Sequence, residues 1–190
     1  MSVMYLASTP EANALLEQDP FALLLAMMLD QQIPMEKAFT SPAVLRDRLG
    51  RDLVAADIAQ LDAGKLDELF RQPPALHRFP AAMATRAREL ARIVADEYGG
   101  DAAAIWNQAS SGADLVARLK RLPGFGPQKA RIFAALVAKQ LGVEPAGWRT
   151  ATAPYGEPGT FASAADVVDG PSLAKVKAYK RQQKSAAKKA

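Results

Sequence analysis

The chain has no cysteine and a single histidine, His77. Without thiols, disulfides, thiolate zinc sites, cysteine nucleophiles and cysteine-ligated iron-sulfur clusters are excluded. One imidazole cannot build a metal site by itself. Long apolar runs are missing too: the longest, residues 21–29, is too short to cross a bilayer. The opening residues Met1-Ser2-Val3-Met4-Tyr5 lack the basic-then-apolar order of an export leader. A cytoplasmic protein without membrane contact is expected. Sustained apolar/polar alternation and clusters of β-branched residues are also absent, which argues against a sheet.

What remains is a chain of 190 residues, 49% hydrophobic, enough to bury a core as one domain or two small lobes sharing a cleft. Its formal charge of +4 is unevenly spread. Lys175, Lys177, Lys180, Arg181, Lys184, Lys188 and Lys189 form a C-terminal tail without an acid, and they outweigh the whole net charge. The rest of the chain is therefore slightly acidic, and nucleic-acid binding by the body has to rest on local geometry. The tail itself is expected to add phosphate contacts on any DNA.

The apolar periodicity is helical almost throughout. Asp19-Pro20 reads as an N-cap followed by a first-turn proline, opening a helix with Phe21, Leu24, Leu25 and Met28 on its densest face. Ser41-Pro42 repeats that signal, with Gly50 as the stop. Residues 57–61, 65–70 and 102–109 read as short helices, and 80–98 as a long amphipathic one ended by Gly99-Gly100. In that long helix Met83, Ala87, Leu90, Ala91 and Val94 face inward and Arg86, Arg88 and Arg92 outward. Two helices flank a tight turn within residues 114–141. Residues 143–171 are rich in proline and glycine and read as irregular, packed on the body through Trp148, Tyr155 and Phe161. A final helix is expected over residues 172–183, with a frayed basic end. The domain reading is a helical core over 1–142, an irregular segment over 143–171 and a C-terminal helix and basic tail over 172–190.

The turn carries the strongest motif. Leu119, Leu122, Gly124, Phe125, Gly126, Ala130, Phe133 and Ala134 have the spacing of a helix-hairpin-helix. Gly124 and Gly126 are expected to adopt positive φ and to bare the backbone N–H groups to a phosphate. Phe125 plugs the turn into the core. Pro127 opens a helix whose positive end faces the same place, and Ala130 lets the two helices close up. Lys120, Arg121, Lys129 and Arg131 add cations nearby. Contacts of this kind place a protein on DNA without reading its sequence.

Two segments, DPFALLLAMMLDQQ over residues 19–32 and LPGFGPQKA over residues 122–130, resemble the HhH-GPD superfamily of DNA glycosylases, which includes endonuclease III and the adenine and alkyladenine glycosylases. Arg86, Arg88, Glu89 and Leu90 fall where that family has a K-A-x-x-I/L helix, so the likeness spans about residues 19–142. It implies an all-α, two-lobed fold with a DNA-binding cleft between the lobes and damaged double-stranded DNA as partner, bound by a monomer at the nucleoid. It also implies a DNA-contacting set of Gln31, Gln32, Leu122, Gly124, Phe125, Gly126, Gln128, Lys129 and Arg131. Gln32 would fill the gap left by an extruded base, since chemistry at the glycosidic carbon needs the nucleotide out of the stack. Read alone, Gln31-Gln32 could equally be a polar helix end. The carbonyls of Lys120, Leu122 and Phe125 match those that hold a monovalent or calcium ion in relatives.

The departures bear on chemistry. Relatives that cleave the backbone carry a Schiff-base lysine at the seventh hairpin position, here Gln128. Lys129 follows it, turned by about 100° on a helix, so it is expected to meet phosphate and lyase activity is not expected. The aspartate that relatives carry just after the second hairpin helix is missing. Glu144 lies two residues early, beside Pro145, and reads either as its substitute or as an exposed loop glutamate. Asp30, next to Gln31-Gln32, is the other candidate catalytic carboxylate, with Asp166 and Asp169 available only if their segment folds back. Trp148-Arg149 and Tyr155 could stack a base or anchor the loop. The expectation is a base-excision-repair protein, a monofunctional DNA N-glycosylase, or else a catalytically inactive relative that binds distorted DNA, with a hairpin module serving protein partners as the third reading.

Overall fold

The computed structural model describes residues 4–190. The leader reading rests partly on Met1, Ser2 and Val3, which lie outside the described residues. Among the described residues, every regular element is helical and no strand occurs. None of the helices is long and apolar enough to cross a membrane.

Helix α1 (Pro10–Gln18) opens with the same device as α2 (Pro20–Leu29): Thr9 and Asp19 cap, and a proline stands in the first turn. Helix α2 is apolar all round and buried from Phe21 to Leu29, so it must be surrounded. It packs on α1, on α3 (Met35–Leu49) and on α6 (Pro80–Glu97), while α4 (Ala55–Gln60) and α5 (Ala63–Arg71) cover α6. The second set is α7 (Ala104–Asn107), α8 (Gly112–Lys120), α9 (Pro127–Leu141), α10 (Trp148–Ala151) and α11 (Gly170–Lys189), built around the α8/α9 pair. One apolar core runs through both sets.

Ser41-Pro42 does not open a helix. Both residues lie buried inside α3. Pro42 has no N–H to give the carbonyl four residues back. The Ser41 hydroxyl lies within bonding distance of the Lys37 carbonyl at 2.8 Å and of Leu76 O at 2.9 Å. Segment 143–171 holds two short helical turns, α10 and a 3-10 turn at Ala164–Asp166, and is buckled along α9. Lys139 ion-pairs with Asp166 at 2.7 Å and donates to the Glu157 carbonyl, and the Gln140 amide reaches the carbonyls of Ala164, Ala165 and Val167. The last helix is longer than its sequence pattern suggests. Asp169 and Ser172 form a reciprocal capping box, and helix continues past Gln183 to Lys189.

Candidate nucleic-acid interface

The turn between α8 and α9 is anchored from beneath. Leu119, Leu122 and Phe125 are buried, and the Phe125 ring meets Phe133 edge-on with centroids 6.0 Å apart. Ala130 is fully buried. Gly124 adopts φ +79°, and a Cβ there would stand 2.9 Å from Met28 Cγ, so this glycine is required both by its backbone and by its close approach to α2. Gly126 differs from expectation. Its φ of −77° is open to any residue, and a Cβ would meet nothing within 4 Å. It serves instead as the N-cap of α9 with no side chain over the first turn, whose N–H groups have no partner inside the helix. Of the three carbonyls the family likeness singles out, that of Leu122 accepts the Phe125 N–H at 3.1 Å and keeps one lone pair.

The C-terminal end of α2 comes to the same place. Gln31 is turned inward: its amide donates to the Met28 carbonyl at 2.9 Å and its Oε1 accepts from Arg86 at 3.1 Å, so Arg86 faces this turn rather than open solvent. Gln32 is exposed at φ +58°, an uncommon conformation for a side-chain-bearing residue. The peptide before it is held by His77, which the sequence reading left without a role. His77 is 1% exposed. Its Nδ1 accepts the Phe79 N–H at 3.0 Å, which leaves Nε2 protonated to donate to the Gln31 carbonyl at 2.9 Å. One imidazole thus ties the Gln31-Gln32 turn to the start of α6.

Burial lowers the His77 pKa below its ordinary 6.5, and the ammonium groups of Lys37 and Lys129 push the same way. The neutral ring therefore stabilises the fold fully above pH 6.5, and that contribution is lost as pH falls through the lowered value. His77→Phe should cost about 1–3 kcal/mol, the penalty for leaving two part-buried backbone groups without their partner. It should also flatten the acid limb of stability between pH 7 and 5, read by urea unfolding. An unchanged acid limb would remove His77 from this role.

Asp30, Gln31, Gln32, Gln128 and Lys129 line one cleft of about 1110 Å³, whose outer side is formed by α11. Seven basic side chains line it, those of Lys37, Arg78, Lys129, Lys177, Lys180, Arg181 and Lys184, against the two carboxylates of Asp30 and Glu36. Lys129 does not point outward as a free phosphate contact. Its ammonium donates to the Met28 carbonyl at 3.2 Å, and burial brings its pKa down to about 8, with Asp30 opposing that fall. Desolvation raises the Asp30 pKa above the usual 3.8, while Lys180 and Lys129 counter it.

The other candidates lie elsewhere. Glu144 is exposed on the loop after α9 and does not line the cleft. Asp166 is committed to Lys139 and Asp169 to capping α11. Gln128 donates to the Tyr155 hydroxyl at 2.9 Å, and the Arg131 guanidinium sits 5.9 Å over that ring while reaching the Ala153 carbonyl. Trp148 is buried, with Arg149 4.5 Å above its ring. These aromatics anchor their segment to the body. Lys120 is exposed at the C-terminal end of α8, where the hairpin turn begins. Neither a protein-family model nor a curated protein matches the chain, so its functional reading rests on this geometry.

Proposed function

We propose that the chain is a DNA-binding base-excision-repair protein of the two-lobed HhH-GPD type, and that it acts as a monofunctional DNA N-glycosylase. One observation carries the reading. A single basic cleft joins a desolvated carboxylate, Asp30, to the Gln31-Gln32 turn and to the uncapped start of α9. A polyanion is the natural occupant of such a cleft, and phosphate oxygens suit the free N–H groups of a helix start.

In this reading the hairpin turn grips the backbone on one side of the damaged nucleotide, Gln32 fills the space it vacates, and the extruded sugar faces Asp30. The bond between C1′ and the base nitrogen breaks with its electron pair leaving on the base. The Asp30 carboxylate stabilises the cationic sugar, and water then adds at C1′ and gives its proton to Asp30. The departing base takes up a proton from solvent and Asp30 returns its own to solvent, so that free base and an abasic sugar result with the carboxylate restored. Gln128 stands where lyases carry a lysine, so no strand cleavage follows. The carbonyls of Lys120, Leu122 and Phe125 are hard oxygen donors suited to a monovalent or calcium ion, which would add positive charge facing a phosphate. The second reading, binding of distorted DNA without catalysis, is favoured by one fact: Glu144, nearest in sequence to the family's aspartate, is outside the cleft.

Single-turnover assays on duplexes bearing uracil, hypoxanthine, alkylated or oxidised bases separate the two. Release of any one base supports the glycosylase. Tight binding of a damaged duplex with no base released from the panel would leave the non-catalytic reading, and no salt-dependent DNA binding at all would refute both.

A further inference from the structure

Along one face of α11 the chemistry changes. Leu173 and Val176, in the first two turns, pack on the apolar core, the latter buried. The same face continues with Lys177, Lys180, Arg181 and Lys184, at the i, i+3, i+4 and i+7 positions of a helix, and all six residues line the cleft that holds Asp30. Where the partner of this face is protein, it is apolar. Where the cleft-lining residues leave the core, from Lys177 on, it is basic.

The stripe has almost no internal partner. Among the described residues, Lys177 alone of the four is in a direct ion pair, with Glu36, while Lys180 acts on Asp30 and Glu36 only from a distance. Like charges three and four apart weaken a helix, so a row of them facing a cleft costs stability unless an external anion meets it. From Lys177 to Lys184 the four charges cover about 10.5 Å of the axis of a helix of 20 residues, so they recur on average about every 3.5 Å. That suits a line of phosphates, one per about 3.4 Å of duplex axis on each strand, better than a single small anion. Lys175 and Lys189 are carried by the same helix but do not line the cleft.

We propose that the cleft-facing stripe of α11 is the outer wall of the DNA site, meeting the phosphates of a bound duplex across from the hairpin turn, and that the other tail lysines take no part. The inference rests on the DNA reading above and extends it to a helix beyond the residues that carry the family likeness. It also replaces the expectation of a frayed tail that adds charge without geometry.

The test compares two double variants with the same change in charge on the same helix. Binding of a fluorescently labelled DNA duplex is measured against salt for Lys180→Gln/Lys184→Gln and for Lys175→Gln/Lys189→Gln, with helix content checked by circular dichroism. The stripe variant should make the slope of log K against log salt shallower by about 1.8, at ~0.9 per phosphate contact, and the off-stripe variant should leave it unchanged. Lys180→Arg/Lys184→Arg keeps the charge and should keep the slope, which separates lost contacts from a damaged helix. Equal losses in the two glutamine variants, or none in either, would overturn the stripe while leaving DNA binding by the hairpin intact. A wild-type chain that binds no duplex would overturn the DNA reading itself.

Discussion

Asp30→Asn is expected to lower the single-turnover rate of base release by about 100-fold or more, with duplex affinity nearly kept, the loss that follows removal of a positioned general base. Asparagine keeps the shape of the side chain and removes its charge. The position is a poor place for a carboxylate on structural grounds. It is the C-cap of α2, where the helix end is partially negative, and burial raises its pKa above 3.8. A group with a raised folded pKa binds protons more readily in the folded chain, so its ionisation at neutral pH opposes folding. The variant should therefore melt at the same temperature as wild type or higher while losing activity, which a merely structural carboxylate would not do. In wild type the rate should fall on acidification at a pH above the ordinary carboxylate range, because protonated Asp30 cannot accept the water's proton. A rate within a few-fold of wild type would eliminate Asp30. Glu144→Gln, exposed and away from the cleft, should be silent in the same assay.

The legible parts of the sequence were those whose signals are local. Proline after a capping residue marks the start of α2, and Gly99-Gly100 the end of α6, both at positive φ. The same vocabulary misreads α3, because Pro42 within a helix looks like a first-turn proline until the Ser41 contact with the Leu76 carbonyl, 35 residues away, is known. Helix α11 is misjudged for a different reason. Beyond Tyr179 it has no apolar stripe, and alanine and lysine favour helix without saying what the helix faces. The joining of Asp30 and Gln32 to Lys129 spans about a hundred residues, so no periodicity could reveal it; only the family likeness brought them together beforehand. His77 was invisible because both of its partners are backbone groups, and a backbone N–H or carbonyl leaves no trace in the sequence.

The two hairpin glycines should separate folding from binding. Gly124→Val forces a β-branched residue to φ +79°, which costs about 1–2 kcal/mol for a non-glycine residue in the left-handed region. It also drives a Cβ to within 2.9 Å of Met28 Cγ, an overpacking that costs about 1–3 kcal/mol more. The damage does not stop at the turn. The Met28 carbonyl accepts both the Gln31 amide and the Lys129 ammonium, so moving Met28 disturbs the Gln31-Gln32 turn and the buried cation together. A lower melting temperature and at least tenfold weaker duplex binding are expected. Gly126→Val meets neither obstacle, because its φ of −77° is ordinary and the space beside it is open. Replacing an N-cap glycine should cost no more than about 1 kcal/mol. Its added methyl groups nevertheless stand at the bare start of α9, between the first-turn N–H groups and any phosphate oxygen. Fluorescence anisotropy with a damaged duplex should then register about a tenfold loss of affinity from a chain that melts close to wild type. Wild-type affinity in Gly126→Val would remove the hairpin from the interface, whatever Gly124→Val did, since a folding defect alone accounts for the latter.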